Sequence, residues 1–222
     1  MPKKKKNLPT VTKAKIVEKT SILREEMAII CRKIYEKGLT YSTGGNISAK
    51  IADDIFLIKP ADFCFGDMQA EDFLVVNGES RILEGPKGNR PSSESPFHLA
   101  IYKAFPKDIN AVIHAHSPYT LVFATMGEDI DPLTTFAEEE IGRVPLAPRR
   151  KPGTQELADI LVQTLRSVEN QLHAPLNQPA IACLAEAHGV VIAGKELKKT
   201  FFALESLETT ARTILWMRAV QK

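Results

Sequence analysis

"INAVIHAHSPYT", residues 109–120, is an apolar run that ends in two imidazoles, His114 and His116. The segment reads as a short buried strand followed by a helix. In a strand, side chains at i and i+2 leave the same face, about 6.5–7 Å apart. The two histidines therefore project together at one strand end. Ser117 is an N-cap type of residue, and Pro118 suits the first turn of the helix it opens. A sheet packed against helices, with the paired imidazoles at its rim, is the arrangement this stretch predicts.

The flanking sequence extends that pattern in both directions. Residues 11–38 show helical spacing, with Leu23, Met27, Ile30, Ile34 and Tyr35 on one stripe and Gly38 as the stop. "TGGNIS" (43–48) is a glycine-bearing turn that leads into "ISAKIADDIFLIKP" (47–60), a hairpin divided at Asp53-Asp54. "DFLVVNGESRILEG" (72–85) alternates and turns at Asn77-Gly78, a second hairpin signal. After the loop "GPKGNRPSS", residues 93–105 read as a helix with Phe97, Ala100, Ile101 and Phe105 inward. Beyond residue 126 come a basic loop, "APRRKPGT" (147–154), and a helix over 154–168. Two strand-like runs in "AIACLAEAHGVVIAG" (180–194) and a long helix over 195–220 complete the pattern. Strands occur in hairpins as well as between helices, so a mixed, largely antiparallel sheet is favoured over a doubly wound one.

Composition sets the outer limits. The 222 residues are 44% hydrophobic and 25% charged, enough material for one α/β domain, placed here at residues 11–222 behind a flexible basic tail at 1–10. A formal charge of +2 gives no global reason to expect nucleic acid or a membrane surface as partner. No apolar run reaches the roughly 18 residues of a spanning helix. The lysines at 3–6 have no apolar segment directly behind them, so they do not read as a signal peptide. Cys31, Cys64 and Cys183 are odd in number and widely spaced, which fits reduced, buried thiols and a cytoplasmic setting.

His-x-His on a strand is a plausible half-site for Zn²⁺ or a similar divalent ion. The plainer alternative is a pair of polar residues at a strand end, satisfied by backbone or water. Of the other histidines, His98 lies on a helix face and reads as structural, and His173 stands in polar loop sequence. His188 ends an apolar run and is followed by Gly189, which lets the backbone approach closely. It is the better third ligand. Three histidines leave an open position, the mark of a catalytic metal rather than a structural one.

"RPSSES" puts Ser92, Ser93 and Glu94 at a helix mouth, where backbone N–H groups and hydroxyls suit an anion. Glu94 there is either a partner of the helix dipole or, near a metal, an acid/base or a fourth ligand. Gly45 and Asn46 in "TGGNIS" bind an anion through the turn or merely make the turn.

Taken together, the order "TGGNIS", "PSSE", "HAHS", "AHG" and a long final helix resembles the class II aldolase/adducin family, with sugar-phosphate aldolases of the fuculose-phosphate type nearest. The resemblance implies a three-layer α/β/α sandwich on a mainly antiparallel sheet, and a homotetramer with active sites at subunit interfaces. It implies one Zn²⁺ per chain on His114, His116 and His188, with Glu94 as acid/base. Gly45, Asn46, Ser92 and Ser93 would cradle the phosphate of a sugar-phosphate substrate. The implied activity is aldol cleavage to a three-carbon keto fragment and an aldehyde. A 4-epimerase, dehydratase or decarboxylase on the same metal site is the alternative, and an adducin-like interaction module without catalysis comes after these.

Three departures stand out. "IKPADF" places Ala61 and Asp62 where such aldolases carry Thr-Gly or Ser-Gly, and an aspartate beside a phosphate dianion costs about 1 kcal/mol when partly desolvated. Lys59 is a candidate compensating charge that the sequence does not place. No tyrosine stands near Thr134 or Thr135 to protonate a leaving aldehyde oxygen. "AEEE" offers Glu138 as a second acid or only a solvated helix face.

Overall fold

The computed structural model describes residues 10–221, with side chains over 18–221. The tail expected over residues 1–10 lies outside them, apart from Thr10, where the first helix begins. That helix, α1 (Thr10–Glu36), buries Met27, Ile30, Cys31 and Ile34 on one stripe. Each such burial contributes roughly 1.5–3 kcal/mol. Gly38 ends the helix turn in the left-handed region (φ 68°), and Leu39 N–H closes back on Ile34 O. Tyr35, expected on the stripe, is 43% exposed, because its ring lies instead across Gly66, leaving no room there for a Cβ.

Two hairpins follow: β1 (Asn46–Ala52) with β2 (Ile55–Ile58), then β3 (Leu74–Asn77) with β4 (Ile82–Glu84). Asp54 makes the first turn at φ 60°, as the Asp53-Asp54 pair suggests. Next come α2 (Ser95–Ala104), β5 (Ala111–Ala115) and α3 (Pro118–Met126). The chain continues through α4 (Thr135–Glu140), β6 (Leu146–Ala147), α5 (Gln155–Arg166), β7 (Ala180–Ala185), β8 (Gly189–Gly194) and α6 (Leu197–Val220).

The strands form one sheet in the order β4-β3-β2-β1-β5-β8-β7-β6, antiparallel except for β6 beside β7. Its two faces carry separate cores. Residues of α1, α3 and α6 pack on one face with Ile47, Ala49, Ala111 and Ile113; residues of α2 and α5 pack on the other with Ile58, Val112 and Ile181. This is the three-layer α/β/α sandwich with a mainly antiparallel sheet that the sequence motifs imply. No helix among the described residues is long and apolar enough to cross a membrane.

The alternation decides where chemistry can sit. Along β5, Ala111, Ile113 and Ala115 face the α1 side, so Val112 and His114 face α2. Along β1, Ile47 and Ala49 face α1, which sends Asn46 and Ser48 toward α2 as well. Asn46 pairs with His114 across the two strands. Two polar side chains on adjacent central strands thus meet beneath the first turn of α2.

Candidate metal centre and active site

Period-two geometry brings the histidines together. His114 is fully buried at the end of β5; His116 lies just past the strand; His188 occupies the tight turn between β7 and β8, next to Ala187 at φ 53°. The His114 and His188 rings are 4.7 Å apart between centroids, and those of His116 and His188 are 5.4 Å apart. One ring nitrogen from each lies within 4.8 Å of the others. The tautomer of His114 follows from its partner. Nδ1 is 2.9 Å from the carbonyl of Val190, which can only accept, so Nδ1 carries the hydrogen and Nε2 keeps its lone pair. That Nε2 is 3.1 Å from His116 Nε2.

Burial, together with the neighbouring imidazoles, holds His114 well below the usual histidine range; burial first and His188 second also lower His116. Neutral imidazoles with converging lone pairs are a donor set for a divalent metal. Zinc–nitrogen bonds of 2.0–2.1 Å in a tetrahedron set the nitrogens about 3.3 Å apart, close to the His114–His116 separation. Two further atoms fit the same picture. His188 Nδ1 and Glu94 Oε1 are buried with no hydrogen-bond partner. The residues therefore fit a metal ion.

Glu94 stands at the N-cap of α2, yet its side chain makes no cap bond. It turns instead to the histidines, with Oε2 3.4 Å from His114 Nε2 and Oε1 3.4 Å from His188 Nε2. Asn46 donates to Oε2 at 2.8 Å. The simple dipole-partner role is thus not the one its geometry serves.

A cavity of about 290 Å³ opens beside the cluster, lined by Gly45, Asn46, Lys59, Ser92, Ser93, Glu94, His116 and His188, with Ala61, Asp62, Arg90 and Pro152 at its sides. All the sequence-predicted residues other than buried His114 reach this wall, and His114 backs it. Lys59 and Arg90 were not among the predicted site residues. Lys59 directly follows β2, behind the unbroken apolar run "IFLI", only 2% exposed, and its ammonium makes a 3.3 Å bond to Pro60 O. Burial pulls its pKa down. Arg90 pairs with Asp62 at 2.7 Å, so the aspartate expected to repel an anion has its charge countered. Asp62 keeps the left-handed backbone (φ 66°) that a glycine would take there, a conformation that Asp tolerates.

The other candidates fall elsewhere. Glu138 is exposed on α4, outside this cavity; Thr134 caps α4 by accepting from Ala137 N–H, and His173 is exposed. Ser117 occupies the N-cap of α3 but bonds Thr120, and the cap itself comes from Glu208 of α6, which accepts from Tyr119 and Thr120 N–H. A separate groove along α6, lined by Leu133, Phe136 and Phe202, carries none of the histidines. Cys31 and Cys183 are buried, with thiol pKa values pushed up by burial, whereas Cys64 is half-buried.

Glycine is required where backbones meet the imidazoles. A Cβ at Gly189 would lie 2.5 Å from Ala115 O and 2.9 Å from the His116 ring. Gly45 adopts φ +78°, and a Cβ there would lie 2.7 Å from His114 O. Gly189→Ala is expected to spread the histidines and weaken metal retention by about tenfold or more, on the scale of second-sphere changes at metal sites. Competition with a chromophoric chelator checks this.

A fold with this sheet order, carrying three histidines and a carboxylate at the sheet rim, defines a class. The class II aldolase and adducin N-terminal domain family matches residues 25–215. The chain belongs to that family and is an enzyme of its superfamily. It is 32% identical over 197 residues to the 3-oxo-tetronate 4-phosphate decarboxylase of Escherichia coli K12, covering 86% of this chain and 85% of that one. It is 28% identical to the L-fuculose phosphate aldolase of Methanocaldococcus jannaschii, covering 90% and 99%. Among solved structures, an L-fuculose 1-phosphate aldolase superposes with a TM-score of 0.76 at 26% identity, over 90% of this chain and 87% of that one.

Proposed function

We propose that this protein is a zinc-dependent carbon–carbon lyase acting on a small phosphorylated hydroxycarbonyl compound, and that decarboxylation of a 3-oxo sugar-acid phosphate is its reaction. The carrying observation is a single carboxylate, Glu94, set against three imidazoles beside a cavity that Lys59 also lines. Aldol cleavage needs a base for the hydroxyl that becomes the aldehyde and a proton donor for the carbon left behind. Loss of carbon dioxide from a 3-oxo acid needs only the second. Among the described residues lining this cavity, Glu94 is the only carboxylate beside the histidines, Asp62 being paired with Arg90. The likeness to the tetronate phosphate decarboxylases supports the same choice.

His114, His116 and His188 would hold the metal, which would supply positive charge to the substrate's carbonyl oxygen. Lys59, the Ser92 and Ser93 hydroxyls, the Gly45 backbone and the second N–H of Asn46 would hold the phosphate. Glu94 would deliver a proton to the carbon that keeps the bonding pair once carbon dioxide leaves. A second reading, aldol cleavage of a ketose phosphate, is favoured by the likeness to the fuculose phosphate aldolases over nearly the whole chain. The single domain over residues 11–222 and the homotetramer belong to the same proposal. Exposed Phe136, Phe202 and Trp216 offer apolar surface for subunits to bury.

Metal-loaded protein incubated with 3-oxo-tetronate 4-phosphates and with ketose 1-phosphates should release carbon dioxide from the former. Aldehyde from the latter alone would make it an aldolase. Neither product, with metal bound, would overturn the lyase reading.

A further inference from the structure

Behind Glu94, four polar side chains lie buried in a row between β1 and α2. The Tyr102 hydroxyl is 2.8 Å from Ser48 Oγ, and Ser48 Oγ is 2.7 Å from His98 Nδ1. His98 Nε2 bonds Asn46 Oδ1, and Asn46 Nδ2 bonds Glu94 Oε2 at 2.8 Å. All four are 3% exposed or less.

The chemistry of each atom fixes the direction of each bond. The Glu94 carboxylate accepts, so Asn46 gives its N–H and turns Oδ1 to His98. An amide oxygen only accepts, so His98 carries its hydrogen on Nε2. The remaining lone pair on Nδ1 takes the Ser48 hydroxyl hydrogen, and Ser48 oxygen takes that of Tyr102. His98 holds no second proton, because burial, then the nearby His114, keep its pKa well below the usual histidine range. Buried polar atoms nearly all find partners, so a purely structural row would leave no orphaned oxygen at its end. This one ends on one oxygen of Glu94 and leaves the other, Oε1, buried without a partner.

We propose that Tyr102, Ser48, His98 and Asn46 form a one-way hydrogen-bond relay that positions Glu94, tying down Oε2 and reserving Oε1 as the oxygen that handles the proton. The four are positioning residues. The relay presupposes the acid/base role of Glu94 proposed above and adds which oxygen acts and what holds it. Breaking the relay at His98 removes the donor that anchors Asn46 Oδ1, so the amide can rotate and its N–H no longer fixes Glu94 Oε2. With that hold loosened, Glu94 would swing toward the nitrogens of His114 and His188, which already lie 3.4 Å from its oxygens.

Histidine-selective ¹⁵N NMR of the full chain should show His98 as the neutral Nε2–H tautomer. An Nδ1–H tautomer or an imidazolium would overturn the relay. In Co²⁺-loaded protein, His98→Phe should shift the visible bands and lower their intensity as the ligand set changes, because coordination geometry governs them. His98→Gln, which keeps a donor toward Asn46, should restore the wild-type spectrum. An unchanged spectrum in folded His98→Phe would make the row merely structural and overturn the proposal. If that variant does not fold, Ser48→Ala, which removes one hydroxyl from the chain, is read the same way. Full activity in Glu94→Gln would instead remove the acid/base role itself, while the tautomer tests the relay alone.

Discussion

Glu94→Gln is expected to lower kcat by about 10³-fold while the protein keeps its metal. The substitution is close to isosteric, and its effect follows from the asymmetry of the two carboxylate oxygens. Asn46 donates to Oε2, so the glutamine will turn its carbonyl oxygen to Asn46 and its NH₂ to where Oε1 stood. That oxygen is the unpartnered one, 3.4 Å from His188 Nε2. The variant thus keeps its shape and its bond to Asn46 but loses the atom that can carry a proton. Metal content and single-turnover rate, measured on the same sample, separate this from loss of the ion. Retained turnover would move the proton step to another group. Glu138 is a poor replacement, being exposed on α4 outside the cavity.

How far such a site can be read from sequence depends on the range of the forces that build it. His114 and His116 were legible because a strand of period two dictates their shared direction, and β5 obeys it. His188 was legible because Gly189 signals close backbone approach, and a Cβ there would strike the other imidazoles. The core stripe of α1 was legible at Met27, Ile30 and Ile34, but Tyr35 was not, since only the folded chain brings Gly66 under its ring. The same limit applies to the cap of α3. Ser117 has the right chemistry locally, yet Glu208, 88 residues beyond Thr120, supplies the bonds. Strand β6 is two residues long and exists only because β7 is there to pair with, so "VPLAP" carries no strand signal of its own. His98 looked like a helix-face residue, and it is, but what it touches is set by β1 across the layer. Lys59 was visible as a charge without a place. A lysine that follows an unbroken apolar run and precedes a proline is the signal that could have flagged a buried ammonium at the strand end.

Lys59→Met is expected to make the protein more stable and a weaker binder of phosphorylated ligands. The ammonium is nearly inaccessible and has one 3.3 Å bond for three donors, with the Phe65 ring 5.3 Å away and the charge of Asp62 as weaker favourable partners. Burying a charge so poorly compensated opposes folding, and an unbranched apolar side chain of similar length removes that cost, raising stability by about 1 kcal/mol or more. The sign with pH can be checked. Burial lowers the folded-state pKa of Lys59 below its unfolded value of about 10.4. Below the folded value the penalty is present in full, and it is relieved as pH rises from the folded to the unfolded value. The stability gap between variant and wild type should therefore narrow in that alkaline window, as thermal melts at neutral and alkaline pH would show. Ligand binding should move the other way. A phosphate in the cavity would accept the idle donors, and a hydrogen bond to a charged group contributes about 1.5–3 kcal/mol. Its loss corresponds to roughly a 10–100-fold rise in the Kd of a phosphorylated ligand, with little change for an uncharged analogue. A folding penalty kept at the wall of a cavity is understandable if the anion that enters offsets it. Should Lys59→Met lose stability together with affinity, the side chain is holding the β2 end in place, and recognition of the anion falls to Arg90 and the serines.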